Sequence, residues 1–368
     1  MGLEGELRVG LRVRDARIER IDITSTRPDV ACSLLQGRTR AMVGAVLPRL
    51  FSICGHSQSV ASELACAAAA GESISPELLA RDSATVSAEI VRESAWRVLL
   101  EWPKLIDEIP SAEAIAAARA SHGFRVDAAV GLGAAAVALA VFSCAADEWL
   151  ARSSQAELDR WIDAGQTAAA RFIRRVRDDD AAAVCAHDRP AVETPLLDAG
   201  SHATWIDELS AANAADPEFA RHPTWHGAAA ETGPLARQQT DPLIAALMQR
   251  SGSRVPARFL ARLRELALLL AGRTCAEVGG QTLPGRGGVG WVENARGLLM
   301  HQVQFDAGRA ATYRIVAPTE WNFHPDGALV RALSGVRADD LTRVKDRARQ
   351  LVQSLDPCVA CHVEFEDA

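Results

Sequence analysis

The sequence predicts an α+β fold, mainly helical, in which a helical bundle carries peripheral β-hairpins. Two periodicities predict it. Apolar and polar residues alternate near the start of the chain, in Leu7, Val9, Leu11 and Val13, the period-two signature of half-buried strands, and Leu298 to Phe305 with Ala311 to Val316 reads as a second hairpin near its end. Between them, Ile90, Val91, Ala95, Val98, Leu99 and Trp102, and later Phe259, Leu263, Leu266 and Leu270, recur at the spacing of helix faces. With 368 residues, 48% of them hydrophobic, the chain can bury a large core and has room for two subdomains.

The first element is an N-terminal hairpin over 7–24, with its turn at Asp15-Ala16 and its second strand from Ile18 to Ile23. A helical body follows over 28–177 and resumes over 241–272. Within it, the Ala- and Leu-rich stretches 28–37 and 57–70 read as helices, and Cys54 sits at the entry of the second. Pro103 ends the stripe that starts at Ile90, and Pro256 starts the one that holds Phe259. The uncharged stretch Ala128 to Ala146 is rich in Ala and Gly and only mildly apolar. It reads as a helix buried in a bundle rather than a membrane span.

Residues 178–240 carry Asp178-Asp179-Asp180, several prolines and scattered His and Trp. They read as a loop-rich insert, with the acidic run solvated. Gly279 to Gly290 holds six glycines without a closing G-K-[ST], so it is no phosphate loop. Its expected role is to let backbone approach a metal pocket closely. A C-terminal hairpin and cysteine tail occupy 291–368: Leu298 to Phe305, a turn at Asp306-Ala307-Gly308, Ala311 to Val316, and a last helix over about 338–354 that delivers Asp356 to Cys361.

Composition narrows the function. A formal net charge of −7 offers no basic face for nucleic acid. The eight cysteines, at 32, 54, 66, 144, 185, 275, 358 and 361, lack the spacing of a disulfide framework and read as reduced thiols in a cytoplasm. No basic segment followed by an apolar one opens the chain, so a signal peptide and membrane insertion are not expected. His122, His187, His202, His222 and His226 are isolated and read as surface or structural residues.

Chemistry concentrates in two cysteine sites at opposite ends: Cys54, in Arg49-Leu50-Phe51-Ser52-Ile53-Cys54-Gly55-His56-Ser57-Gln58, and Cys358 and Cys361, in Asp356-Pro357-Cys358-Val359-Ala360-Cys361. Thiolates so far apart make sense if the fold brings the ends together around a metal. Such soft ligands suit nickel, iron, zinc and copper(I). A structural zinc site is one reading of the three, with His56 or His362 as the fourth ligand.

These segments resemble the large subunits of nickel-iron hydrogenases. Arg49 and Cys54 match that family's R-x-C-G-x-C-x-x-x-H motif, but Phe51 stands at its first Cys, Ser52 at its Gly and Gln58 at its His. Asp356, Pro357, Cys358 and Cys361 match D-P-C-x-x-C-x-x-H, with Glu364 at the final His. Between them, Glu231 to Arg237 resembles E-V-G-P-L-A-R, Glu293 to Gly297 with His301 resembles E-A-P-R-G with its following His, and Tyr313 to Asn322 resembles Y-x-x-x-x-P-T-T-W-N. Leu3 to Val9 is similar to I-E-G-H-L-R-I. The order of these matches is more specific than any one of them.

The resemblance implies a shortened hydrogenase-large-subunit-like fold, one unit over 1–368, and assigns roles. Cys54 and Cys361 take the positions that bridge nickel and iron. Cys358 takes a nickel-only position, and Phe51 replaces the other with a group that has no donor atom. Arg296 and Pro318-Thr319 take the positions that contact the iron's cyanide ligands, where a guanidinium suits an anionic partner; pairing of Arg296 with Glu293 or Glu320 is the plainer reading. The magnesium site is lost, because its ligands fall on Cys32 and Glu364 and its motif's Arg and Gly on Asp29 and Val30. Glu4 keeps the position of a proton-passing glutamate. Only four residues follow Glu364, so the C-terminal cleavage of family precursors is not expected.

This pattern is similar to the hydrogenase expression and formation proteins of the HupK/HoxV type. That implies a maturation scaffold, not an enzyme, which transiently holds iron with cyanide and carbonyl ligands and binds neither nickel nor magnesium. Its partners would be a hydrogenase large-subunit precursor and maturation chaperones. A divergent hydrogenase-like enzyme with an altered metal and a metal-free pseudo-subunit that binds assembly partners are the alternatives.

Overall fold

The computed structural model describes residues 6–25, 28–51, 53–125, 132–184, 193–197, 202–250 and 253–365. Glu4, Ser52, Cys185, His187 and the last three residues lie outside them, as do the side chains of Asp29, Val30 and His202.

In chain order, β1 (Leu7–Arg14) and β2 (Arg17–Ser25) lead into α1 (Pro28–Leu35), α2 (Arg40–Leu50), α3 (Gly55–Ala69) and α4 (Pro76–Trp96). A π-helical turn, Arg97–Glu101, and a 3₁₀ turn that begins at Pro103 end this run. Then come α5 (Ala112–Ala120), α6 (Leu132–Phe142), α7 (Ala146–Leu150), α8 (Gln155–Ala164), α9 (Ala168–Val184), α10 (His202–Ala215), α11 (Pro234–Gln238), α12 (Pro242–Arg250) and α13 (Val255–Leu270). Four strands follow: β3 (Val278–Leu283), β4 (Gly287–Asn294), β5 (Gly297–Asp306) and β6 (Arg309–Val316). The chain closes with α14 (Pro318–Asn322), α15 (Ala328–Leu333), α16 (Leu341–Leu355) and β7 (Cys361–Phe365).

The chain expected to form one unit over 1–368 divides into two compact ones, of 1–82, 186–236 and 277–368, and of 83–185 and 237–276. The second is helical. Its core includes an aromatic cluster in which Trp102 stacks on Phe172 at 4.7 Å between ring centroids and both meet the edge of Phe259. There Arg237 and Glu265 form a buried two-point ion pair at 2.6 and 2.9 Å.

The first unit holds both sheets and all the cysteine-motif residues. The expected N-terminal hairpin is present, and its turn residues Asp15 and Ala16 take left-handed φ angles of 50° and 54°, as a tight hairpin turn demands. Beside it β7 runs parallel to β1, with Leu7 opposite Cys361, in a sheet of order β2-β1-β7. The ends of the chain therefore do meet, through a strand pairing that no local pattern announces. The C-terminal hairpin is half of an antiparallel meander, β3-β4-β5-β6.

One face of that meander carries α3, and the glycines of β4 explain how. A Cβ on Gly288 would lie 2.2 Å from the Ala65 carbonyl oxygen, and one on Gly290 would lie 2.1 Å from that of Ala61. Helix and strand backbones touch because no side chain separates them. The glycine-rich segment thus serves helix-on-sheet packing, and the metal-pocket role expected of it is corrected. On the opposite face Val289 and Trp291 pack with Trp205, Leu209 and Trp321.

One further expectation changes. The segment 178–240 is less loop-like than expected, since it holds the end of α9 and all of α10 and α11; the hydrophobic side chains Trp205, Ile206 and Leu209 order α10 by burial in the core rather than by local propensity. Of the uncharged stretch 128–146, the described helix α6 covers Leu132–Phe142. Among the described residues no helix is long and apolar enough to cross a membrane.

Candidate metal-handling site

Four of the motif segments converge in the first unit. Gly233 and Gly297, at φ 115° and 128°, let two of them touch: a Cβ on Gly233 would lie 2.7 Å from the Arg296 carbonyl oxygen. Asn322 stitches the third to both. Its Oδ1 accepts from the Thr232 amide at 3.0 Å, and its Nδ2 donates to the Arg296 carbonyl at 3.2 Å. The Leu298 amide donates to the Thr232 hydroxyl at 2.9 Å.

The fourth segment arrives on α16. Asp340 caps its start, accepting from the amides of Thr342 and Arg343, a strong helix-start device. Asp356 ends it in a left-handed conformation at φ 52°, and Pro357 prevents its continuation. Asp356 is thereby buried with its Oδ2 3.5 Å from Nε of the equally buried Arg296. Arg296 thus faces the aspartate of the cysteine motif, a partner the sequence reading did not weigh. The next residue but one, Cys358, is buried, and its Sγ lies 3.1 Å from the hydroxyl of Thr319. Arg296, Thr319, Asp356 and Cys358 therefore belong to one buried neighbourhood, and Pro318 is buried at the first turn of α14 beside it.

Cys54 is the N-terminal flanking residue of α3 and is buried. One turn on, Gln58 sends its amide Nε2 to the Cys54 sulfur at 3.7 Å. The Gln58 carbonyl lies 2.8 Å from Nε2 of His301 on β5, which ties Cys54 to the strand that follows Arg296. Cys361, half-buried on β7, has its thiol pushed up to about 12 by burial. It is protonated at neutral pH, and metal binding there would release a proton.

Among the described residues no three or more His, Cys, Asp and Glu side chains are gathered to hold a metal ion. Cys54, Cys358 and Cys361 do not form a closed three-thiol set, and His56 and His362, the sequence's candidates for a fourth zinc ligand, are exposed. Cys32 and Glu364, which the resemblance sets at magnesium positions, are half-buried and exposed, respectively. Phe51 is half-buried at the end of α2. The Thr319 hydroxyl lies beside one thiol of the C-terminal motif, Cys358, and the buried Arg296 guanidinium beside its aspartate.

Gln58 reads from the sequence only as the loss of a histidine, and Tyr313 and Ser62 drew no attention as side chains. The signal was available in part. Cys54, Gln58, Ser62 and Cys66 recur every four residues, the spacing of one helix face.

Residues 261–364 match the nickel-dependent hydrogenase family. The chain is 31% identical to the hydrogenase expression/formation protein HoxV of Cupriavidus necator, over 94% of this chain and 93% of that one. It is 34% identical to HupK of Rhizobium leguminosarum bv. viciae, over 95% and 96%. Its fold superposes on the nickel-iron-selenium hydrogenase of D. vulgaris Hildenborough with a TM-score of 0.59 at 16% identity, over 94% of each chain. On a hydrogenase-large-subunit-like fold, with the motif segments joined as described, this chain belongs to the family of HoxV- and HupK-type hydrogenase expression/formation proteins.

Proposed function

We propose that the protein is a hydrogenase maturation scaffold, not an enzyme. It holds an iron unit bearing cyanide and carbon monoxide as cargo between Cys54 and Cys361, then passes it to a nickel-iron hydrogenase large-subunit precursor in the cytoplasm. Maturation chaperones would load it. The relatives named as expression/formation proteins support a part in maturation. The observation that carries the finer reading is the asymmetry of the site. The buried Arg296, Thr319 and Cys358 side is intact, while the position of a further thiolate holds the carbon ring of Phe51. Such a site can favour iron over nickel and leave the cargo exchangeable.

Infrared spectroscopy and metal analysis of protein purified without oxygen test this. Carbonyl and cyanide bands with sub-stoichiometric iron are expected. Cys54→Ala and Cys361→Ala should each abolish iron retention, and Cys358→Ala should weaken it less. Iron-free protein carrying zinc would refute the proposal.

A further inference from the structure

We infer that Gln58 is a positioning residue: held by His301, it presents an N–H to the sulfur of Cys54. The inference rests on the scaffold reading only for what Cys54 carries.

The hydrogen bonds around it are buried. Along one face of α3 stand Cys54, Gln58, Ser62 and Cys66; opposite them stand His301 on β5 and Tyr313 on β6, the only tyrosine of the protein. All six are at most 6% exposed. The Ser62 and Tyr313 hydroxyls lie 2.7 Å apart, Tyr313 lies 2.7 Å from Nδ1 of His301, and Nε2 of His301 lies 2.8 Å from the Gln58 carbonyl. The rings of His301 and Tyr313 meet edge to face at 5.7 Å.

The inventory of protons fixes the His301 tautomer. Complete burial drives the His301 pKa down to about 3, so its ring is neutral and has one donor and one acceptor. The Gln58 carbonyl can only accept, which puts the proton on Nε2. Nδ1 is then left as the acceptor that faces the Tyr313 hydroxyl. The Gln58 amide N–H faces the Cys54 sulfur. An N–H donor on a sulfur stabilises it as a thiolate and as a metal ligand, and withdraws charge from the metal.

Long-range proton–nitrogen NMR on full-length protein with ¹⁵N-labelled histidine tests this without any cargo. The His301 signals are those missing from His301→Asn. The expected result is the Nε2–H tautomer, unchanged from pH 7 to pH 5. An Nδ1–H tautomer would mean that the amide is turned, with its carbonyl toward Cys54, and would overturn the inference. Gln58→Leu fills the same space without the amide and should shift His301 to a mixture of tautomers, which a purely space-filling Gln58 would not do. If that variant fails to fold, the wild-type tautomer still decides. In protein that carries iron, Gln58→Leu should move the carbonyl and cyanide bands to lower wavenumber, and unmoved bands would refute the donor role. Iron-free wild-type protein would count against the scaffold reading, while the tautomer would still judge this one.

Discussion

Adding one methyl group at Gly290 should separate α3 from the sheet. The Cβ of Gly290→Ala would fall 2.1 Å from the Ala61 carbonyl oxygen, 2.5 Å from the Ala65 nitrogen and 2.9 Å from the Leu64 Cβ. Two of these are backbone atoms of α3, which no side-chain rotation can move away. The helix must shift by around an ångström, and overpacking of this kind costs ~1–3 kcal/mol. In a unit of this size each kcal/mol lowers the melting temperature by about 2–4 °C, so a fall of roughly 2–12 °C is expected from thermal unfolding followed by circular dichroism. Gly44→Ala is the control. Gly44 lies in α2, and a Cβ there meets nothing within 4 Å. Because alanine is the better helix former by about 1 kcal/mol, that variant should melt at or above the wild-type temperature. The shift at Gly290 should also disturb Cys54 and Gln58, which ride on the same helix, and so alter the His301 NMR signal. A Gly290→Ala protein with wild-type melting and an unaltered His301 signal would refute the claim that backbone contact holds α3 in place.

Acid should expose the cost of His301. Its folded pKa, about 3, lies below the ordinary 6.5, so the unfolded chain binds a proton that the native one refuses. Its contribution to stability is complete above pH 6.5 and is lost as pH falls toward 3; His301→Gln should flatten urea-derived stability across that window, and an unchanged slope would contradict it. In the helical unit, breaking the buried Arg237–Glu265 pair by Glu265→Ala should cost ~3–5 kcal/mol because it strands a buried charge. The double change Arg237→Met with Glu265→Leu should cost less, and equal losses in denaturant titrations would show that the pair is no more than packing. Finally, purified protein free of hydrogenase large subunit should bind no nickel tightly and neither take up nor evolve hydrogen, because Phe51 supplies no sulfur; gas-exchange activity would overturn the scaffold proposal.

The sequence by itself determined the elements whose cause is local. Period-two alternation gave the hairpin at 7–24, the turn at Asp306-Ala307-Gly308 gave the one after Leu298, and prolines 103 and 256 marked helix boundaries because proline's chemistry is fixed wherever it stands. The motif residues were legible as a set, since residue type and spacing carry over without knowledge of packing. Tertiary structure decided what each of them touches. That Arg296 faces Asp356, that Thr319 meets Cys358, and that β7 pairs with β1 are contacts between residues 39 to more than 350 positions apart, and no window of sequence contains both partners. The glycines of β4 and the side chain of Gln58 show the same limit most sharply. Their residue types said only that a close approach was possible and that a histidine was absent; it took α3 lying on the sheet to turn the first into backbone contact and the second into a hydrogen bond aimed at a thiol, because both depend on which surface the fold brings within a few ångströms.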